Sequence, residues 1–147
     1  MNLDESELKR LSREQCMRLL GSVPVGRIVY TQQALPAVEL INFVLDGGDI
    51  VFRTAAGGKL GAAVRGAVVA FEADSLDYVR HTGWSVTVVG QCQIVTDAKE
   101  IDRLRSTRLT PWAPGVREHY VRIPPTMVNG RQLNSQWLGV TDHARGV

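Results

Sequence analysis

Four residues, Asp46-Gly47-Gly48-Asp49, constrain this chain most. Two consecutive glycines flanked by aspartates favour the paired positive φ angles of a tight hairpin, and they lie between two apolar runs. The turn predicts an antiparallel pair, with Leu35 to Leu45 before it and a strand from Asp49 to about Thr54 after it. The earlier run should break or bend near Pro36. Val25 to Thr31 reads as a strand before that, closed by the polar Gln32-Gln33. Strands joined by turns this short argue against a parallel doubly wound sheet, which needs a regular alternation of strand and helix.

The rest of the chain extends the pattern. Ala67 to Phe71 is almost wholly apolar and predicts a strand covered on both faces. Trp84 to Thr96 predicts the longest strand. Val86, Val88, Cys92 and Ile94 fall on one face, Ser85, Thr87, Gln91 and Gln93 on the other, with a bulge or bend at Gly90. Residues 109–118, with Pro111, Trp112 and Pro114, read as a loop. Tyr120 to Ile123 reads as the final strand, stopped by Pro124-Pro125. Ser12 and Gln15 fit a capping box, opening a helix with Cys16, Met17, Leu19 and Leu20 on its apolar side and Gly21 at its end. A second short helix is expected over Lys59–Val64, with Leu60, Ala63 and Val64 inward. A third begins at Thr96-Asp97 and buries Ile101 and Leu104. Residues 4–11 read as an earlier helical turn, making 1–22 a helical lead-in, and 131–147 as a loosely ordered tail. About six strands and three short helices make one mainly β domain over 1–147, an antiparallel β-barrel with helical additions.

Composition narrows the function classes. The 147 residues suit a single domain, and 44% hydrophobic with 22% charged is ordinary for a globular protein. No apolar run reaches the roughly 18 residues of a membrane span. Met1-Asn2-Leu3-Asp4-Glu5-Ser6-Glu7 is too acidic for a signal peptide, so a cytoplasmic location is expected. A net charge of +2 does not suggest a nucleic-acid binder. Cys16 and Cys92 lack metal-ligand spacing, and His81, His119 and His143 are scattered, so neither a disulfide scaffold nor a metal site is expected.

The stretch from Asp49 to Leu60 carries the chemistry. A strand ends in Arg53-Thr54, four small residues follow (Ala55-Ala56-Gly57-Gly58), and Lys59 stands where a helix starts. Small residues let a ligand approach the backbone, and a guanidinium, a hydroxyl and an ammonium together suit a phosphate. The same stretch also fits an ordinary strand-to-helix turn with surface charges. Lysine is rare here, at Lys9, Lys59 and Lys99 alone, which makes its place in this loop less incidental.

Asn42-Phe43-Val44-Leu45-Asp46-Gly47-Gly48-Asp49-Ile50-Val51-Phe52-Arg53-Thr54, the Gly58-Lys59-Leu60 turn, and Thr82-Gly83-Trp84-Ser85-Val86 with Gly90 resemble the pyridoxamine 5′-phosphate oxidase-like family. The resemblance runs from about Val25 to Ile123 and is closer to the short actinobacterial-type members than to the oxidase itself. It implies a split β-barrel of the FMN-binding type and a homodimer with two flavin sites at its interface. It also implies that the strand holding Leu40, Ile41 and Asn42 lies along the isoalloxazine ring. Arg53-Thr54 and Gly58-Lys59, with Leu60 completing the turn, would hold the phosphate. Ser85 stands where the family often has a polar residue reaching the flavin, with Trp84 beside it. Trp84 equally suits packing at the barrel end, and Asn42 could serve a neighbouring backbone group.

The chain departs from the oxidase in having Gly58-Lys59 where two adjacent basic residues are common, and only Arg131 and Trp137 in the C-terminal region. Pyridoxine phosphate is therefore disfavoured as substrate. The resemblance implies an FMN-dependent oxidoreductase acting on a small molecule. A deazaflavin-dependent reductase, a non-catalytic flavin or haem carrier, and a structural module without cofactor are the alternatives.

Overall fold

The computed structural model describes residues 8–54, 59–107, 109 and 119–133. Along the chain the elements are β1 (Leu8–Arg10), α1 (Arg13–Leu20), β2 (Val25–Gln32), β3 (Leu35–Asn42), β4 (Val44–Asp46) and β5 (Asp49–Thr54). They continue with α2 (Lys59–Val64), β6 (Val68–Asp77), β7 (Thr82–Gln91), β8 (Gln93–Ile94), α3 (Ala98–Arg105), β9 (His119–Ile123) and β10 (Met127–Leu133). Two sheets form, in the orders β1-β10-β7-β6-β2-β3 and β4-β5-β9-β8. All their pairings are antiparallel. The fold is the split β-barrel expected.

The core lies between the sheets. Ile28 of β2, Phe71 of β6, Val86 and Val88 of β7 meet Ile50 and Phe52 of β5 and Val121 and Ile123 of β9. Helix α1 closes one side with Cys16 and Leu20, and α2 adds Leu60 and Val64. The capping box is present: Gln15 N–H donates to Ser12 Oγ at 3.2 Å and Ser12 N–H to Gln15 Oε1 at 2.8 Å. The hairpin forms at Asp46–Asp49, with Gly47 at φ +59° and Gly48 at φ +87°, the pair of angles that glycine adopts without steric cost.

Several expectations are corrected. Residues 8–10, read as part of a helical lead-in, are a strand, because their backbone pairs with β10. Tyr120–Ile123 is not the last strand: the chain turns at Pro124-Pro125 and continues as β10, where only Gly130 is buried. Arg131 to Leu133, assigned to a loose tail, belong to that strand. The run from Leu35 to Leu45 breaks at Phe43, whose ring meets Phe71 edge-on at 4.7 Å. Pro36 stays within the edge strand β3. Trp84 to Thr96 is two strands. At Cys92 the chain leaves the larger sheet and joins the smaller one as β8, where Gln93 faces Arg122 and Ile94 faces Val121. Gly90 stands just before this corner, where a Cβ would collide with the Pro124 carbonyl.

The strand covered on both faces is β5, not β6. Ile50 and Phe52 face the main core, while Val51 faces a second core of Tyr120, Val95, Leu104 and Leu109 beneath α3. On β6 only alternate residues are covered, and Val68 is exposed. No helix among the described residues is long and apolar enough to cross a membrane.

Candidate functional site

The outward face of the six-stranded sheet is organised in rows set by strand register. One row runs Val38, Val29, Ala70, Val89, Met127 across β3, β2, β6, β7 and β10. The next runs Leu40, Arg27, Glu72, Thr87, Asn129. Beyond it Asp74, Ser85 and Arg131 stand side by side. Val38 and Leu40 are each 61% exposed, Met127 65% and Val68 68%. Four large apolar side chains open to water on one face form a patch of the kind that marks a binding surface.

Within the polar rows, Arg27 Nη1 donates to Glu72 Oε1 at 3.0 Å and to Asp74 Oδ2 at 3.2 Å. Ser85 Oγ lies 3.5 Å from Glu72 Oε2. Partial burial, then the hydrogen bond and negative charge of Asp74, push the Glu72 carboxyl up to about 7, against the opposing pull of Arg27. The sequence reading missed this cluster. Glu72 and Asp74 continue the period-two pattern of Val68 and Ala70, which was a usable signal, but Arg27 joins them only through β2–β6 register.

The candidate cofactor residues divide among three surfaces. Leu40, Asn42 and Ser85 lie on the outward face of the larger sheet. Consecutive strand residues point to opposite sides, so Ile41 and Trp84 turn inward. Ile41 packs against the main core and Trp84 is part of it, only 9% exposed. Leu60 is also a core residue. Arg53 and Thr54 leave β5 on opposite sides. The Arg53 guanidinium lies over the Tyr120 ring, 5.3 Å from its centre. Thr54 continues the inward line of Ile50 and Phe52 and is the buried polar residue among the described residues. Gly58 lies outside the described residues. Lys59 begins α2, with its side chain also outside them. Trp137 and residues 110–118 are outside as well.

A second ionic cluster fastens α3 to the smaller sheet. Arg122 reaches Asp46 Oδ2 at 2.8 Å, Asp49 Oδ2 at 3.1 Å, and Glu100, while Arg103 also pairs with Asp46. The Arg103 hydrogen bond, reinforced by Arg122, holds the Asp46 carboxyl at about 2 despite partial burial. Each carboxylate here has an arginine partner, so this is a fastening and not a reaction centre. Burial pushes the Cys92 thiol up to about 12, which removes it as a thiolate nucleophile at neutral pH.

A family model for pyridoxamine 5′-phosphate oxidase matches residues 12–132. Uncharacterized protein Rv0080 of Mycobacterium tuberculosis is 41% identical over 132 residues, 86% of each chain. The solved structure of an FAD binding protein from Mycobacterium smegmatis superposes with a TM-score of 0.74 at 38% identity, covering 86% of this chain and 99% of that one. An FAD-binding protein from Mesorhizobium loti shares the fold, with a TM-score of 0.72 at 20% identity over 86% and 99% of the two chains.

Proposed function

The chain belongs to the pyridoxamine 5′-phosphate oxidase family, and from that premise we propose that it is a flavin-dependent oxidoreductase of a small molecule, working as a homodimer. The observation that carries the flavin is the likeness to the mycobacterial FAD binding protein, which extends over nearly the whole of that chain. FMN, the cofactor the resemblance implies, and FAD both carry a phosphate on the ribityl chain. The end of β5 suits either: Arg53 brings a guanidinium there and Lys59 begins the helix that follows, while the Thr54 hydroxyl is buried on the opposite side of the strand.

The outward face of the larger sheet suits the ring. Leu40 offers apolar surface, while Asn42 and Ser85 offer polar groups to a heterocycle's edge. A bound flavin supplies hydride transfer, so the chain's own task is to grip the phosphate, orient the ring and exclude water. A second copy is the natural cover for this face. It carries an apolar row beside both signs of charge, so a two-fold partner can set apolar surface on apolar surface and charge on counter-charge.

The test is mass spectrometry of the ligand released from protein purified without added cofactor. It separates FMN, FAD and a deazaflavin directly. Turnover of a nicotinamide or a reduced deazaflavin by the same sample supports an enzyme. Bound flavin without turnover against a broad acceptor panel makes the protein a carrier. A colourless protein that gains no thermal stability from any flavin refutes the reading.

A further inference from the structure

Glu72 and Asp74 lie two residues apart on β6 and project together from the outward face. One nitrogen of Arg27, on the adjacent strand β2, donates to both carboxylates, at 3.0 and 3.2 Å. On the other flank β7 offers neutral groups: Thr87 is the register partner of Glu72, and Ser85 that of Asp74. One strand further, β10 places Asn129 beside Thr87 and Arg131 beside Ser85, and β1 places Arg10 beside Arg131. On the far side β3 places Leu40 beside Arg27. Its Glu39 accepts a hydrogen bond from the inward-facing Tyr30 hydroxyl at 2.8 Å. Among the described residues the two carboxylates thus share one contacting guanidinium, with the cations of Arg131 and Arg10 two and three strands away on the same face.

We propose that Arg27, Glu72 and Asp74 form a proton-operated latch, so that two copies of the chain associate through this face with Glu72 protonated and loosen as Glu72 ionises. The inference rests on the homodimer reading above. Association would take water away from the cluster, and an ionised carboxyl without a full counter-charge is costly to dehydrate. A neutral Glu72 instead donates its O–H to Asp74, and Arg27 balances the one remaining negative charge. The carboxyl already holds its proton to about pH 7 in the single chain, so little is needed to keep it neutral once covered. Each dimer takes up as many as two protons, one per copy. Above neutrality the dissociation constant can rise by up to tenfold per proton for each pH unit.

The dissociation constant is measured on the full chain with its bound cofactor, by sedimentation of a fluorescently labelled sample diluted to nanomolar concentration. We expect it to weaken by at least about tenfold between pH 6.5 and 8.5. Glu72→Gln is neutral at every pH, so it should dimerise tightly across the range. Asp74→Asn removes the neighbouring negative charge that raises Glu72, so an ionised Glu72 keeps the Arg27 guanidinium to itself. With Arg27 in place the expected result is loss of the pH step near neutrality. A wild-type dimer with a flat dissociation constant, including one that never dissociates at pH 8.5, overturns the latch and leaves the dimer standing. An unchanged pH step in Glu72→Gln does the same. A monomer at all pH values overturns both the dimer and the latch.

Discussion

Val38→Ala tests the outward face where no charge is involved. Val38 keeps 61% of its surface in water on β3, beside Val29. Truncation removes two methyl carbons, worth about 0.8 kcal/mol each when fully buried. With 61% of the surface still to be covered, association would gain about 1 kcal/mol per copy from them. A two-fold interface uses the same residue twice, so the dimer should lose about 2 kcal/mol, roughly a thirtyfold weaker dissociation constant. The single chain has little to lose, since a substitution at an exposed position usually changes stability by less than about 0.5 kcal/mol. The assay pairs dilution sedimentation at pH 6.5 with urea unfolding of the same variant. A dissociation constant unchanged within twofold, with unfolding also unchanged, would falsify the assignment of this face to the dimer. A large loss of folding stability would instead mean that Val38 supports the sheet itself.

Three other perturbations address different parts of the molecule. Gly90→Ala would drive a methyl group into the Pro124 carbonyl at the corner between the sheets, so it should cost about 3 kcal/mol in urea unfolding; a near-neutral result would show that the corner relaxes easily. Asp46→Asn should destabilise the protein at pH 6. Because the native Asp46 carboxyl is depressed below its ordinary 3.8, its contribution is present above that value and lost as pH falls toward about 2, so the two unfolding curves should converge there. A gap that persists at pH 2 would assign the effect to packing. Lys59→Ala should weaken FMN binding roughly tenfold to hundredfold while leaving riboflavin binding almost unchanged, since only FMN carries the phosphate. Equal losses for both, read by fluorescence titration, would remove Lys59 from the phosphate grip.

Features with a local cause were legible in the sequence. The Asp46–Asp49 turn, the Ser12–Gln15 box and the apolar side of α3 each follow from a few adjacent residues, and all three form. Features that depend on distant partners were not. Nothing within Leu8–Arg10 announces a strand, because its hydrogen bonds come from residues 131–133. The apolar run beginning at Ala67 suggested two-sided cover, but burial on both sides went to β5, where α3 packs over Val51. The candidate site was legible as a set of residue types, and its division among faces was not. Leu40 with Ile41, Arg53 with Thr54, and Trp84 with Ser85 are neighbours in sequence that the pleat sends in opposite directions. The Arg27 contact to Glu72 and Asp74 spans about 45 residues and exists only because β2 and β6 pair in one register.

Strands β5 and β9 are a party wall between two rooms, with one core on each side. Opening either room exposes only one surface of that wall, and its in-plane hydrogen bonds to the neighbouring strands stay in place, so its amides should be among the slowest of the described residues to exchange with solvent. Among the described residues of helix α3, none belongs to the main core. A void made at Leu104 nevertheless loosens the backing of Val51, three residues from Thr54 at the end where the phosphate grip is proposed. Selection on binding at that end would then also be felt by side chains on the far side of the wall that never meet a ligand.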